Sequence, residues 1–229
     1  METVYLFFAE GSEEVEALAV VDILRRAGVE TRIVSVTGDK MVTGAHGIRV
    51  EADMLMEEVD FSQGRYVGIA WRAARFIQSG PGHEGLAEGI MRQYKAGKPL
   101  AAICAAPLVY GRMGLLKGLK ATCYPGFEEN LEGASYTGNL VEEDGLFITG
   151  KGPAAVFEFG YAIVAKLAGK DKAEAVRNGM CTTRWLDEEI CDRSGRRERT
   201  AYGGRNSQAV HSGPRSTGVD ADVGCVSCL

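Results

Sequence analysis

Two continuous apolar runs, each passing straight into a helical pattern, constrain this chain more than any other feature. Val4-Tyr5-Leu6-Phe7-Phe8 has no polar alternation, as expected of a parallel strand covered on both faces. Gly11-Ser12 breaks that run, Ser12 is placed to cap a helix, and Glu13 and Glu14 fall in the first turn, where the helix dipole favours anions. The following stripe runs to about Ala27, with Arg25 and Arg26 near its end and Gly28 as the stop. Leu100-Ala101-Ala102-Ile103 repeats the theme: Lys98-Pro99 leads in, Cys104 and small residues follow, and Pro107 suits the first turn of the next helix.

The rest of the chain alternates in the same way. Residues 31–36 predict a strand, 42–50 a hairpin-like excursion, and 84–94 a helix closed by Gly97. Residues 121–123 predict a short strand, followed by a turn at Tyr124-Pro125-Gly126. Residues 141–149 form a hairpin pattern with Asp144-Gly145 at its tip, and Gly150-Lys151-Gly152-Pro153 opens a strongly apolar helix over 154–168. This alternation implies an α/β fold with a parallel sheet between helical layers. Ligands in such folds sit beyond the carboxyl ends of the strands, the rim on which Gly11, Cys104 and Gly150 fall.

Two residues on that rim carry chemistry. Cys104 occupies a strand-to-helix turn, where the N–H groups and positive end of the next helix favour the reactive thiolate. Free cysteine is also among the most buried residue types, so the pattern alone leaves reaction and packing both open. Glu16 shares a stripe with Val20, Ile23, Leu24 and Ala27. A carboxylate facing inward there is desolvated and its pKa raised, whereas at the stripe's edge it reaches water; the pattern fits either. His46, in Gly44-Ala45-His46-Gly47, reads as a solvated loop histidine rather than a ligand.

Composition excludes several classes. A net charge of −5 gives no electrostatic footprint for nucleic acid or an anionic membrane. No run approaches the roughly 20 apolar residues that span a bilayer, and the opening Met-Glu-Thr-Val lacks a basic leader, so the expected location is cytoplasmic. Only Cys104 and Cys123 precede residue 180; Cys181, Cys191, Cys225 and Cys228 crowd the end.

Several stretches together resemble the ThiJ/PfpI superfamily, specifically its Parkinsonism-associated deglycase branch. They are residues 9–17 (Ala-Glu-Gly-Ser-Glu-Glu-Val-Glu-Ala), 42–47 (Val-Thr-Gly-Ala-His-Gly) and 101–107 (Ala-Ala-Ile-Cys-Ala-Ala-Pro). Residues 115–118, 121–127 and 148–153 (Ile-Thr-Gly-Lys-Gly-Pro) continue the match in order and spacing. The resemblance covers residues 1 to about 64 and 82 to about 180. It implies a flavodoxin-like three-layer sandwich, a homodimer, and Cys104 as nucleophile on a strained turn similar in logic to a hydrolase's nucleophile elbow. It further implies Glu16 as the acid–base partner of Cys104 and the Ala105 backbone N–H as an oxyanion donor. The implied activity is of the glyoxalase or deglycase type on small α-oxoaldehydes or their adducts, with no cofactor and no metal. The alternative it implies is a redox sensor or redox-regulated chaperone working through oxidation of Cys104. Tyr124 stands where many relatives carry a histidine, so a Cys–His dyad is not implied.

Two stretches depart from the family. Its third strand is followed by Leu-Pro-Gly-Gly, whose glycine N–H helps hold an anion beside the cysteine; here residues 65–80 read Arg-Tyr-Val-Gly-Ile-Ala-Trp-Arg-Ala-Ala-Arg-Phe-Ile-Gln-Ser-Gly. Tyr66 to Arg72 can be encoded TAT GTT GGT ATT GCC TGG CGG, and one base later those letters read Met-Leu-Val-Leu-Pro-Gly-Gly. The expectation drawn from this is a pair of compensating frameshifts around residues 65–81, either in the gene or in its sequencing. The chain as written is then expected to be weak or inactive, since losing one oxyanion donor costs roughly 10²–10³ in rate. Residues 182–229 lack sustained periodicity and are rich in Arg, Ser, Gly and Thr. The expected division is a family domain over 1–180 and a tail over 181–229 without order. Cys225-Val226-Ser227-Cys228 has no second half and no matching histidines, so no metal site is read there.

Overall fold

The structure, a computed structural model, describes residues 3–62, 64–69 and 83–181 and the short segments 190–191 and 197–198. Five strands build the parallel part of the central sheet: β1 (Thr3–Phe8), β2 (Thr31–Ser35), β6 (Gly64–Ile69), β7 (Leu100–Ile103) and β11 (Phe147–Gly150). β5 (Met54–Leu55) adds a parallel edge beside β2, and β10 (Val141–Asp144) an antiparallel one beside β11. The order across the sheet is β10-β11-β7-β6-β1-β2-β5. Two small pairs flank it, β3 (Met41–Thr43) with β4 (Arg49–Glu51) and β8 (Lys120–Ala121) with β9 (Ser135–Tyr136).

Strand pleating divides the core into two layers. From β1, Val4, Leu6 and Phe8 join one cluster and Tyr5 and Phe7 the other. The first cluster takes in α1 (Glu14–Arg26), α4 (Val156–Ala168) and α5 (Lys170–Gly179), through Val20, Ile23, Phe159, Ile163 and Val176. The second takes in α2 (His83–Lys95) and α3 (Pro107–Arg112), through Leu86, Ile90, Leu108 and Val109. The elements from β1 to α5 therefore form a three-layer sandwich, as their alternation implies.

Local details shift some expectations. Ser12 does not cap α1: Glu13 holds that position without a side-chain cap, and Ser12 Oγ instead accepts from the Ala9 N–H at 3.2 Å. The tip of the β10–β11 hairpin is Gly145-Leu146, because Asp144 already pairs with Phe147; Gly145, not Asp144, takes the positive φ of 57°. The short strand expected over 121–123 lies at Lys120–Ala121. Of the anomalous stretch 65–81, the backbone of residues 65–69 runs as β6 between β1 and β7, and the rest lies outside the described residues.

The chain divides into two compact units, Met1–Thr183 and Arg184–Leu229. Within the second, the two-residue strands β12 (Ile190–Cys191) and β13 (Arg197–Glu198) pair antiparallel. The order expected or not expected of the remaining tail, and the Cys225–Cys228 pair, fall outside the described residues. Among the described residues, no helix is long and apolar enough to cross a membrane.

Candidate active site

β1, β7 and β11 run parallel, so the loops after Phe8, Ile103 and Gly150 open on one rim. In chain order the sheet grows from β1 to β2 on one side and later from β6 to β7 and β11 on the other. The rim beside β1 and β6 is thus the point where strand order reverses, the usual position for a site in such sheets.

Cys104 takes a left-handed backbone conformation, φ 65°, directly after β7. For a residue with a Cβ this costs on the order of 1–3 kcal/mol and needs the surroundings to hold it. They do so with three bonds: Cys104 N–H donates to the Gly150 carbonyl (2.9 Å), Tyr124 N–H to the Cys104 carbonyl (2.7 Å) and Ala106 N–H to the Ile103 carbonyl (3.1 Å). The consequence is directional. Ile103 and Cys104 both belong to the layer of α1, where a continuing strand would have sent Cys104 to the opposite face. The Ala105 N–H is left facing the sulfur.

Glu16 meets Cys104 from α1. It lies two residues into the helix on the inward stripe with Val20, Ile23 and Leu24 and is only 1 % exposed. Of the two readings the stripe allowed, the buried one holds. Neither carboxylate oxygen has a hydrogen-bond partner of good geometry, although the thiol lies close enough for the two groups to titrate together. Burial lifts the Glu16 carboxyl; with contact with the thiol pulling it back and the charge of Glu13 pushing it further up, it comes to about 7. Burial also pushes the Cys104 thiol up, and the Glu16 carboxylate raises it more, while the Ala105 N–H lowers it.

The pull of the following helix on the Cys104 sulfur is opposed: α3 has only 6 residues, while burial and the neighbouring Glu16 carboxylate raise the thiol. The acid is what matters. While Glu16 is charged it opposes a second charge on sulfur; once it holds a proton, the same contact becomes an O–H beside the thiolate and favours it. The pair releases one proton near neutrality and strongly resists the loss of two.

A second cluster borders this one. Glu14, buried beneath the β3–β4 hairpin, accepts from His46 N–H at 2.8 Å, His46 Nδ1 at 2.9 Å and Ile48 N–H at 3.4 Å. Burial alone would raise the Glu14 carboxyl, but these donors outweigh it and hold it at about 2. Gly44 is required here, because a Cβ at that position would overlap the Glu14 carboxylate. His46 is a solvated loop histidine, 67 % exposed in its side chain, and it is also engaged: besides its bond to Glu14, Nδ1 lies 3.5 Å from Glu13 Oε1. The ligand-type atoms of Glu13, Glu14 and His46 converge within 4.8 Å and are used on one another. Glu14 and His46 are 32 positions apart, and nothing in the linear pattern joins them.

The DJ-1/PfpI family model matches residues 2–166. The chain belongs to the DJ-1/PfpI family. It is 37% identical over 176 residues to Protein DJ-1 homolog B of Arabidopsis thaliana, a match covering 73% of this chain and 39% of that protein, so it spans well under half of that relative's length. It is 29% identical over 181 residues to the glutathione-independent glyoxalase DJR-1.2 of Caenorhabditis elegans, covering 75% of this chain and 91% of the other. The solved structure of oxidized Toxoplasma gondii DJ-1 superposes with a TM-score of 0.72 at 30% identity, over 79% of this chain and 98% of that one. The flavodoxin-like DJ-1/PfpI sandwich expected from sequence is therefore the fold observed.

Proposed function

We propose that this DJ-1/PfpI protein is a cofactor-independent glyoxalase, acting on small α-oxoaldehydes through Cys104 and Glu16, with deglycation of early adducts as the same chemistry on a larger substrate. The observation that carries this reading is the buried, otherwise unpartnered Glu16 carboxyl set against a thiol on a left-handed turn. A carboxyl brought to about 7 is suited to give and take protons at neutral pH. The relative named as a glutathione-independent glyoxalase supports the same assignment.

The steps balance without an external oxidant or reductant. The Cys104 sulfur adds to the aldehyde carbon, and the Glu16 proton passes to the aldehyde oxygen, giving a hemithioacetal. The Glu16 carboxylate then takes the hydrogen of that carbon as a proton. The electron pair moves through the neighbouring carbonyl to give an enediolate; its oxygen takes the hydroxyl proton of the first carbon, and Glu16 returns the abstracted proton to the second carbon, leaving a thioester of a 2-hydroxy acid. Water cleaves the thioester, releasing the acid and the thiol. One carbon is oxidised and its neighbour reduced, so water is the only co-reactant. The Ala105 N–H would hold the oxyanion in the addition and hydrolysis steps.

The test is lactate formation from methylglyoxal without glutathione, by the chain as it stands and by a version with Leu-Pro-Gly-Gly restored in the 65–81 stretch. Turnover that disappears in Cys104→Ser supports the enzyme; turnover that survives it refutes the assignment of the nucleophile. The second reading, a redox sensor, draws on the same geometry, since a protonated Glu16 can donate to a sulfinate on Cys104. Stoichiometric oxidation of Cys104 by mild peroxide with no aldehyde turnover would favour it. We also propose a second copy of the chain as partner: Val15 and Ile48 stay 42% and 53% exposed where α1 meets the β3–β4 hairpin. Sedimentation at micromolar concentration distinguishes dimer from monomer.

A further inference from the structure

The Glu13–Glu14–His46 cluster does not touch the reacting sulfur, but it is joined to it by one charge. Glu13, at the N-terminal boundary of α1, and Glu16 are three positions apart and lie on one side of the first turn. The Glu13 carboxylate bears electrostatically on both Glu16 and Cys104, in each case opposing further negative charge. His46 reaches the same carboxylate from the hairpin, 3.5 Å away, while its firmer bond of 2.9 Å ties it to Glu14.

We infer that His46 is a positioning residue for the Cys104–Glu16 pair: anchored on buried Glu14, it holds the Glu13 carboxylate and offsets its charge beside the thiol. The anchor is rigid for a reason. Glu14 stays ionised because three donors from the hairpin converge on it, and the hairpin is tied to the rim by Gly11 N–H to the Thr43 carbonyl (2.7 Å) and Ala45 N–H to the Ser12 carbonyl (2.9 Å). The charged groups facing His46 are Glu13, at the N-cap of α1, and Glu14, its first residue; Glu10, on the preceding loop, accepts instead from Thr43 N–H at 3.1 Å. On its own hairpin Arg49 points into solvent. Those facing the sulfur are Glu16 and Glu13.

The sign follows. Its two acidic neighbours raise the His46 pKa, so the ring is cationic on the acid side of neutrality and offsets Glu13 there. As pH rises the ring loses its proton, the Glu13 charge stands uncompensated, and ionisation of the thiol becomes harder. His46 thus flattens the pH dependence of Cys104 reactivity.

The experiment reads alkylation of Cys104 by iodoacetamide, followed by mass spectrometry from pH 6 to pH 9. It involves no aldehyde turnover, so its failure is separate from failure of the glyoxalase reading on which it builds. His46→Gln keeps a donor for Glu14 without the charge; for a pair this exposed it should slow Cys104 alkylation about two- to fivefold at pH 6. As pH rises and the native ring loses its proton, the difference should shrink. His46→Arg should restore the pH 6 rate and carry the gain up to pH 9, and 0.5 M salt should shrink every one of these differences. In a Glu13→Gln background, which itself should speed alkylation, His46→Gln should have no further effect. An unchanged profile in His46→Gln, or an equal slowing with and without Glu13, overturns the inference; circular dichroism confirms that each variant is folded.

Discussion

Replacing Glu16 by Gln separates the cost of burying a charge from the rest of the core. The native carboxyl titrates at about 7 against an ordinary 4.5, because burial disfavours its charged form. Its folded value is raised, so the protonated form is the one the native state favours. Below pH 4.5 Glu16 is neutral in both states and there is no penalty. Between pH 4.5 and 7 the unfolded chain ionises it while the native protein resists, and the native state loses stability progressively. The loss levels off above pH 7 at about 3 kcal/mol, from 1.36 kcal/mol per unit of pKa difference. Glu16→Gln removes that slope and adds a pH-independent cost of roughly 1–3 kcal/mol for burying an amide without partners. The informative quantity is therefore the change in the mutant–wild-type difference between pH 4.5 and pH 8, measured by urea unfolding at each pH. It should move by about 3 kcal/mol in favour of the mutant at pH 8. Parallel pH–stability curves would refute the buried-acid argument, and with it the source of the proton in the proposed reaction.

Three further outcomes follow from other features. Cys104→Gly should relieve the left-handed backbone and raise stability by up to about 1 kcal/mol while abolishing alkylation at that position, whereas Cys104→Val should lower stability; equal stabilities would mean that the φ of 65° stores no strain. Gly111→Ala should destabilise by about 2 kcal/mol or more in thermal or urea unfolding, because the added Cβ would run into the Asn130 carbonyl and Leu131 backbone beneath α3. Cys123, fully buried and pushed up to about 12 by its burial and by Glu128, should escape iodoacetamide in the native protein at pH 8 and react in urea; labelling in the folded state would contradict that burial.

Much of this architecture was legible because it is written in local periodicity. The unbroken run at Val4–Phe8 predicts a strand covered on both sides, and β1 sits inside the sheet with helices over each face. Pro107 marks the start of α3, and Gly28 and Gly97 close the preceding helices where expected. The Cys104 turn was legible as a turn, and Glu16 as a member of the inward stripe. The polar bonds of the loops were not legible, since they join residues far apart in sequence. Ser12 has the composition of a helix cap, yet its hydroxyl is taken by Ala9 N–H, because the loop after β1 must bend to meet the hairpin at Thr43 and Ala45. His46 is exposed, as a loop histidine is expected to be, but its bond to Glu14 was not readable from the linear pattern.

By itself, then, the sequence determined the alternation of strands and helices, the sandwich they build, and the placing of Cys104 at the end of a central strand. These depend on side-chain spacing of two or about four residues and on a few glycines and prolines, all of them local. Only the tertiary structure decided the charge states. Whether Glu16 meets water or the thiol depends on how α1 lies against the end of β7, and whether the dipole of α3 outweighs burial depends on its brevity and on what surrounds the sulfur. Ionisation reports the solvation and charge around an atom in three dimensions, and those are set by elements that the chain brings together only when it folds.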